Sequence, residues 1–484
     1  MKPKRAFTMA IVLLLMCTSY PVVADTFIDD TQSEFDQGLY TDTQWNTSRV
    51  ELTAAGRTQG HGTYTSTIKD SGGNAAWNTL SWGEPIPYRE ELPDNKGIDT
   101  GADMSSNVLL MHLNELSGTV ADYSGEGNNG TPQGGITYGA PGRYTTALQF
   151  DGINGNVQIA DSASLDISGS LTLEAWINPL STINSGNSNM RIIDKQNAYY
   201  LLFDYPAADG RLKFVLRIGG SYVNVASTTS SWNAGQWYHV VGTYDGSNMR
   251  VYVNGTLENT RPQTGSVVMS SYDLFLGVRA VSSVPTNMYF HGTIDEAAVY
   301  RRVLSPTEIL DHYKRGILNL RLRVRSCNDS FCSGESWSSY YTNASGNTLS
   351  VPSNRYFQYE AYFETEDSNY TPELQSVTIG FNKSYSSATG TPPKKINEQM
   401  RPLAQYHISK AKELSIEAQD LLFEAHERDL DTSDGARLIE TAGELLEKAQ
   451  EYFRGRNYIA ANIYALEAIQ LYEEAIAFLT DVLR

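Results

Sequence analysis

Four short blocks between Leu171 and Tyr300 constrain the fold more than any other part of the chain. They read Leu171-Thr-Leu-Glu-Ala-Trp-Ile-Asn-Pro179, Gln236-Trp-Tyr-His-Val-Val-Gly-Thr-Tyr-Asp-Gly246, Met249-Arg-Val-Tyr-Val-Asn-Gly255 and Phe290-His-Gly-Thr-Ile-Asp-Glu-Ala-Ala-Val-Tyr300. Each alternates apolar and polar residues at the strand period, and Asp245-Gly246 and Asn254-Gly255 are hairpin-turn signals. Such a segment favours antiparallel sheet, because alternation buries one face of a strand and wets the other.

The order and spacing of these blocks resemble the laminin-G-like jelly roll of the concanavalin A-like lectin and glucanase superfamily. The resemblance implies a β-sandwich over residues 105–315, and an extracellular binding protein rather than a cytoplasmic enzyme.

The N-terminus points the same way. Lys2, Lys4 and Arg5 precede an apolar run from Phe7 to Cys17, and Val22-Val-Ala24 offers small residues for cleavage. A secretory signal peptide is expected over residues 1–24, with the mature chain starting near Asp25. Lipidation at Cys17 is disfavoured because Met16 is too bulky for the position before a lipidated cysteine. No later stretch is apolar and long enough for a transmembrane segment. The net charge of -18 argues against nucleic acid and anionic membranes as partners. A length of 484 residues with 40% hydrophobic content fits two to four folded domains.

Cys327 and Cys332 flank Asn328-Asp-Ser-Phe331 between two expected strands. Facing residues of an antiparallel pair lie about 4.5–5.5 Å apart at Cα, which a disulfide can bridge. A disulfide is therefore expected. Free thiols or a metal-bound pair are the alternatives, and a metal would need further Cys or His ligands nearby.

Residues 25–104 and 316–383 both show strand alternation, as in Gly62-Thr-Tyr-Thr-Ser-Thr-Ile-Lys69 and Leu320-Arg-Leu-Arg-Val-Arg325. Neither part has enough strands for a stable sandwich alone. Together they resemble a secreted β-sandwich module, with Trp77-x-x-Leu-x-Trp82 in the first part and Arg355-Tyr-x-Gln-Tyr359 in the second. The expectation is one module split by the jelly roll; two separate small β modules are the alternative. Residues 384–393 read as a Ser/Thr/Gly/Pro linker. Residues 394–484 change to helical period, with apolar stripes on Ala411, Leu414 and Ala418, on Leu438, Ala442 and Leu445, and on Ala461, Tyr464 and Ala468. A helical bundle is expected there, with self-association or anchoring as its role. The fold class is thus mainly β: a jelly roll, a second β-sandwich module and a C-terminal α-helical bundle.

Candidate chemistry is sparse. Catalytic members of the superfamily place spaced carboxylates on one strand face, whereas Asp295 and Glu296 are adjacent, which on a regular strand puts them on opposite faces. Glu174 stands alone. No nucleophile elbow, His-Glu-x-x-His or phosphate loop occurs. His239, His112 and His291 read as structural residues without paired ligands. Calcium is the metal that the resemblance suggests, with Asp151 in Phe150-Asp-Gly-Ile-Asn-Gly-Asn156 and Asp295 as ligands; Asp151 as a turn-capping residue is the alternative. Surface rings for a ligand are sought at Tyr199, Tyr205, Tyr222, Tyr272 and Tyr289, while Trp176 and Trp237 are assigned to the core. The expected function is non-catalytic recognition of a glycan or extracellular protein, secreted or at the cell surface. A structural surface-layer or adhesin component and a polysaccharide-active enzyme are the alternatives.

Overall fold

The computed structural model describes residues 23–185, 189–203, 209–383, 398, 400–428, 430 and 432–483. They fall into two compact units divided at Ser384 and Tyr385. The leader expected over residues 1–24 lies outside the described residues up to its last two, and the linker over 384–393 lies outside them entirely.

Two antiparallel sheets make the jelly roll. One has seven strands, in the order Gly130–Gln133, Asn156–Ile159, Leu274–Leu276, Met190–Lys195, Tyr199–Phe203, Leu212–Ile218 and Ser221–Ala226. The other runs Ile136–Pro141, Thr146–Asp151, His291–Tyr300, Leu171–Pro179, Tyr238–Tyr244, Asn248–Val253 and Thr256–Pro262, with Asn107–Met111 also paired to His291–Tyr300. Leu173, Ile193, Leu201, Phe214, Val251 and Ile294 close the space between them as one apolar core. Each such side chain contributes roughly 1.5–3 kcal/mol by leaving water.

A further eight-stranded sheet interleaves two distant parts of the chain. Its main path is Val23–Asp29, Ser376–Lys383, Lys69–Gly83, Asn354–Thr365, His61–Thr65 and Leu39–Thr41; Leu318–Cys327 adds to Asn354–Thr365 and Asn347–Thr348 to Lys69–Gly83. Residues before 84 and after 317 therefore share hydrogen bonds, and they share a core built on Trp77, Leu80, Leu322, Phe357, Tyr359 and Ile379. The edge strand is pinned from inside: Asp29 receives the Lys69 ammonium, and Tyr359 Oη donates to Asp29 Oδ2 at 2.6 Å. Cys327 and Cys332 form a disulfide, with Cα atoms 5.0 Å apart.

Jelly roll and sandwich meet through Trp176, which is 2% exposed. Its ring packs with the sandwich core, lies 5.8 Å from Tyr313 and has the Arg143 guanidinium over its face at 5.1 Å. Trp237 is half-buried against the same cluster.

Among the described residues the second unit holds three long helices, Arg401–Glu427, Ser433–Arg454 and Tyr458–Leu483. Ala411, Ala418, Ala442, Ala449, Ala461, Ala468 and Ala475 form its buried seam. Small side chains let helices approach to the short end of the usual 8–10 Å spacing. Among the described residues no helix is long and apolar enough to cross a membrane.

Candidate functional site

The outer face of the seven-stranded sheet carries a pocket whose origin is a β-bulge. Along Met190–Lys195 the register slips between Arg191, opposite Leu202, and Ile193, opposite Leu201. The extra residue turns Arg191 and Asp194 to the same side, although they are three apart and regular alternation would separate them. Asp194 then starts a row across the sheet through its partners Tyr200, Val215 and Asn224. Arg279, Ala280, Gln196, Met288 and Tyr222 complete a cavity of about 260 Å³.

Asp194 is 1% exposed, and its oxygens face the Ala280 amide and the Arg191 guanidinium without completing a hydrogen bond of good geometry with either. Arg191 Nε, 3.6 Å from Asp194 Oδ2, lacks a hydrogen-bond partner as well. Burial pushes the Asp194 carboxyl up to about 7, against the opposing pull of Arg191, the Ala280 amide and Arg279. A carboxylate buried with only a long ion pair and a poorly aligned amide leaves hydrogen-bonding capacity unused, at a cost of about 1–3 kcal/mol. The walls are aromatic. Tyr200 lies under the Arg191 guanidinium at 5.1 Å and 6.0 Å from Tyr222, whose ring is 46% exposed. Tyr222 is held in place by donation to Asn197 Oδ1 at 2.7 Å.

The residues expected from sequence are distributed differently. Asp151 Oδ1 accepts the backbone N–H groups of Ile153, Asn154 and Gly155, closing its own turn. Asp295 is buried four residues along the neighbouring strand from His291, the partner of Asp151. Its Oδ2 accepts the Arg143 N–H at 2.6 Å and its Oδ1 the Glu296 N–H at 2.9 Å. The structure does not bring Asp151 and Asp295 to one point. Tyr199 is fully buried and donates to Leu165 O, Tyr272 and Tyr289 are half-buried, and Tyr205 lies outside the described residues. Of the four that are described, Tyr222 is the one that lines the pocket.

The histidines have partners that spacing concealed. Glu174 Oε1 meets His239 Nε2 at 2.6 Å and His312 Nδ1 at 2.9 Å, all three side chains being buried. His112 is gripped by Glu296 at Nδ1 and by Asp94 at Nε2, 2.9 Å away. Glu296 reaches it because a second bulge, between Glu174 and Trp176 in the pairing of Leu171–Pro179 with His291–Tyr300, puts Glu296 at φ +50°. One oxygen of Glu91 joins this group, so that one potential ligand atom from each of Glu91, His112 and Glu296 lies within 4.8 Å of the other two. The reading of His112 as unpartnered, and of Asp295 and Glu296 as residues of a regular strand, is corrected by that bulge.

Residues 151–310 match the family described as the concanavalin A-like lectin/glucanases superfamily. No curated protein matches the chain in sequence. Among solved structures, the binding domain of Paraclostridial Mosquitocidal Protein 1 aligns at 14% identity and TM-score 0.37, over 47% of this chain and 62% of that one. Domain 4 of AbnA, a GH43 extracellular arabinanase from Geobacillus stearothermophilus in complex with arabinotriose, aligns at 20% identity and TM-score 0.35, over 43% and 97%. The botulinum neurotoxin serotype D binding domain aligns at 14% and TM-score 0.35, over 46% and 58%. The chain thus spans under two thirds of the length of the first and third of these.

Proposed function

For a chain whose residues 151–310 carry a concanavalin A-like domain, we propose non-catalytic recognition of a glycan, outside the cell or at its surface, through the Asp194 pocket. The observation that carries the reading is a buried carboxylate held loosely, by the Arg191 guanidinium at 3.6 Å and the Ala280 amide, beside aromatic walls. Neighbouring sugar hydroxyls can donate to Asp194 and accept from Arg191, while the C–H face of the ring packs on Tyr222 and Tyr200. A cavity of about 260 Å³ suits a single polar ring better than a large apolar ligand. Among the described residues Asp194 is the one carboxylate that lines it, whereas glycoside hydrolysis ordinarily uses two. In this reading the sandwich of residues 25–104 and 316–383 is a base that carries the jelly roll of residues 105–315 as an insertion.

The test is a glycan array on the purified protein, followed by calorimetry on any hit, with calcium and with EDTA. Binding that falls at least tenfold in both Asp194→Asn and Tyr222→Ala supports the reading. Loss in EDTA alone would restore calcium at Asp151 or Asp295 as part of the site. No glycan bound by folded protein, or binding indifferent to both substitutions, would sink it and favour a structural spacer.

A further inference from the structure

We propose that Glu91, His112 and Glu296 form a binding site for a divalent cation of the zinc type. His112 Nδ1 and one carboxylate oxygen from each glutamate all lie within 4.8 Å of one another. Nδ1 stands 3.8 Å from Glu91 Oε2 and closer still to Glu296 Oε1. Around a tetrahedral zinc with bonds of about 2.0–2.1 Å, ligand atoms are roughly 3.3 Å apart. Binding therefore requires Glu91 to move in and the His112–Glu296 hydrogen bond to open around the ion, its proton leaving to solvent; three ligands are then complete and a fourth position is left for water.

The far side of every ligand is already held by a group that is not itself a ligand. His112 Nε2 faces Asp94 Oδ1 at 2.9 Å, Glu296 Oε2 accepts the Leu92 N–H at 3.1 Å, and Glu91 Oε1 accepts from Asn114 Nδ2 at 2.9 Å. A carboxylate behind a histidine, with its other nitrogen turned to the ion, is the orienting arrangement that metal sites use. Charge supplies an independent argument. Three carboxylates, Glu91, Asp94 and Glu296, converge on one imidazole, and Asp295 adjoins Glu296 in the chain. Arg143 meets Asp295 only through its backbone amide, because its guanidinium is engaged by Gly316 O and Glu366. A doubly charged ion relieves that excess where a proton on His112 relieves half as much. The imidazole nitrogen and the small number of ligands select a borderline cation over calcium, which takes six to eight oxygens. Glu91 keeps a quarter of its side chain exposed and provides the way in.

The site lies on the other sheet from the Asp194 pocket and does not depend on glycan binding. Untagged protein, stripped with chelator and confirmed folded by circular dichroism, is titrated with zinc and with calcium in a calorimeter, and with cobalt(II) in a spectrophotometer. The expected result is one zinc per chain, a cobalt absorption band of low-coordinate type, and weaker zinc binding by about 10–100-fold in Asp94→Asn. Glu91→Gln, at the rim where folding is least at risk, loses at least tenfold and the cobalt band with it; His112→Gln abolishes binding. Absence of stoichiometric zinc binding, calcium binding without zinc, or affinity unchanged in Glu91→Gln would overturn the proposal.

Discussion

Arg143 of the jelly roll clasps Glu366 of the sandwich in a two-pronged ion pair, Nη1 to Oε2 being 2.8 Å, across 223 residues of sequence. The same guanidinium donates to Gly316 O through Nε at 3.0 Å and Nη2 at 2.6 Å, and covers the ring of Trp176. Planar, forked and always charged, arginine suits this joint where lysine would not.

Arg143→Met is therefore expected to destabilise the first unit by roughly 2–3 kcal/mol. Glu366→Gln should cost less, because Glu366 is 44% exposed and solvent screens it. Thermal unfolding of both variants and the double variant checks this; a double variant equal to the sum of the singles would mean that the two side chains do not cooperate.

Asp194 predicts an unusual dependence on pH. Its folded-state value of about 7 lies above the ordinary carboxylate range, so the native protein holds the proton more tightly than the unfolded chain. Stability from this group is complete below about pH 4 and is lost as pH rises toward 7, by up to about 4 kcal/mol. Glu84, also raised to about 7 by burial, adds a decline of the same sign. Denaturant midpoints from pH 4 to 8 should therefore fall less steeply in Asp194→Asn than in the parent protein. A sugar whose hydroxyls favour the ionised form should bind more tightly as pH rises through this range, and the variant should show no such trend.

Glu174 works in the opposite sense. Burial raises its carboxyl, but His312 and His239 outweigh that and hold it well below the usual range. Its contribution is present above the unfolded value near 4.5 and is lost as pH falls toward the depressed native one. Glu174→Gln is expected to cost about 3–5 kcal/mol at neutral pH, as breaking a buried charged network does. Urea unfolding at pH 7 measures it, and a loss under about 1 kcal/mol would show that the two histidines gain little from the carboxylate.

The disulfide should have a local effect. Cys327 and Cys332 are five residues apart, so the loop removed from the unfolded ensemble is short and the contribution is about 2 kcal/mol. The double variant Cys327→Ser with Cys332→Ser should keep its sheet signal while amide exchange quickens in the exposed turn around Phe331. Collapse of the whole first unit would mean that the bond organises more than this turn.

Local pattern was enough for much of the architecture. Strand alternation and turn signals in the blocks from Leu171 to Tyr300, and helical stripes such as Ala461, Tyr464 and Ala468, depend on neighbours a few residues away, and the elements they specify are present. The cysteine pair was legible for the same reason, since five residues and a turn already bring Cα atoms to 5.0 Å. Asp194 and Glu296 were not legible, because each depends on a bulge that breaks the two-residue period. An extra residue is recognisable only when the partner strand shows which residue lacks an opposite number. His112 was read as solitary because its partners Asp94 and Glu296 lie 18 and 184 residues away. Sequence by itself determined which segments become strands and helices, through side-chain period and turn chemistry. Tertiary structure alone decided which carboxylates are buried, which histidines they meet and how tightly each is held, because those outcomes depend on strand register and on contacts between distant segments.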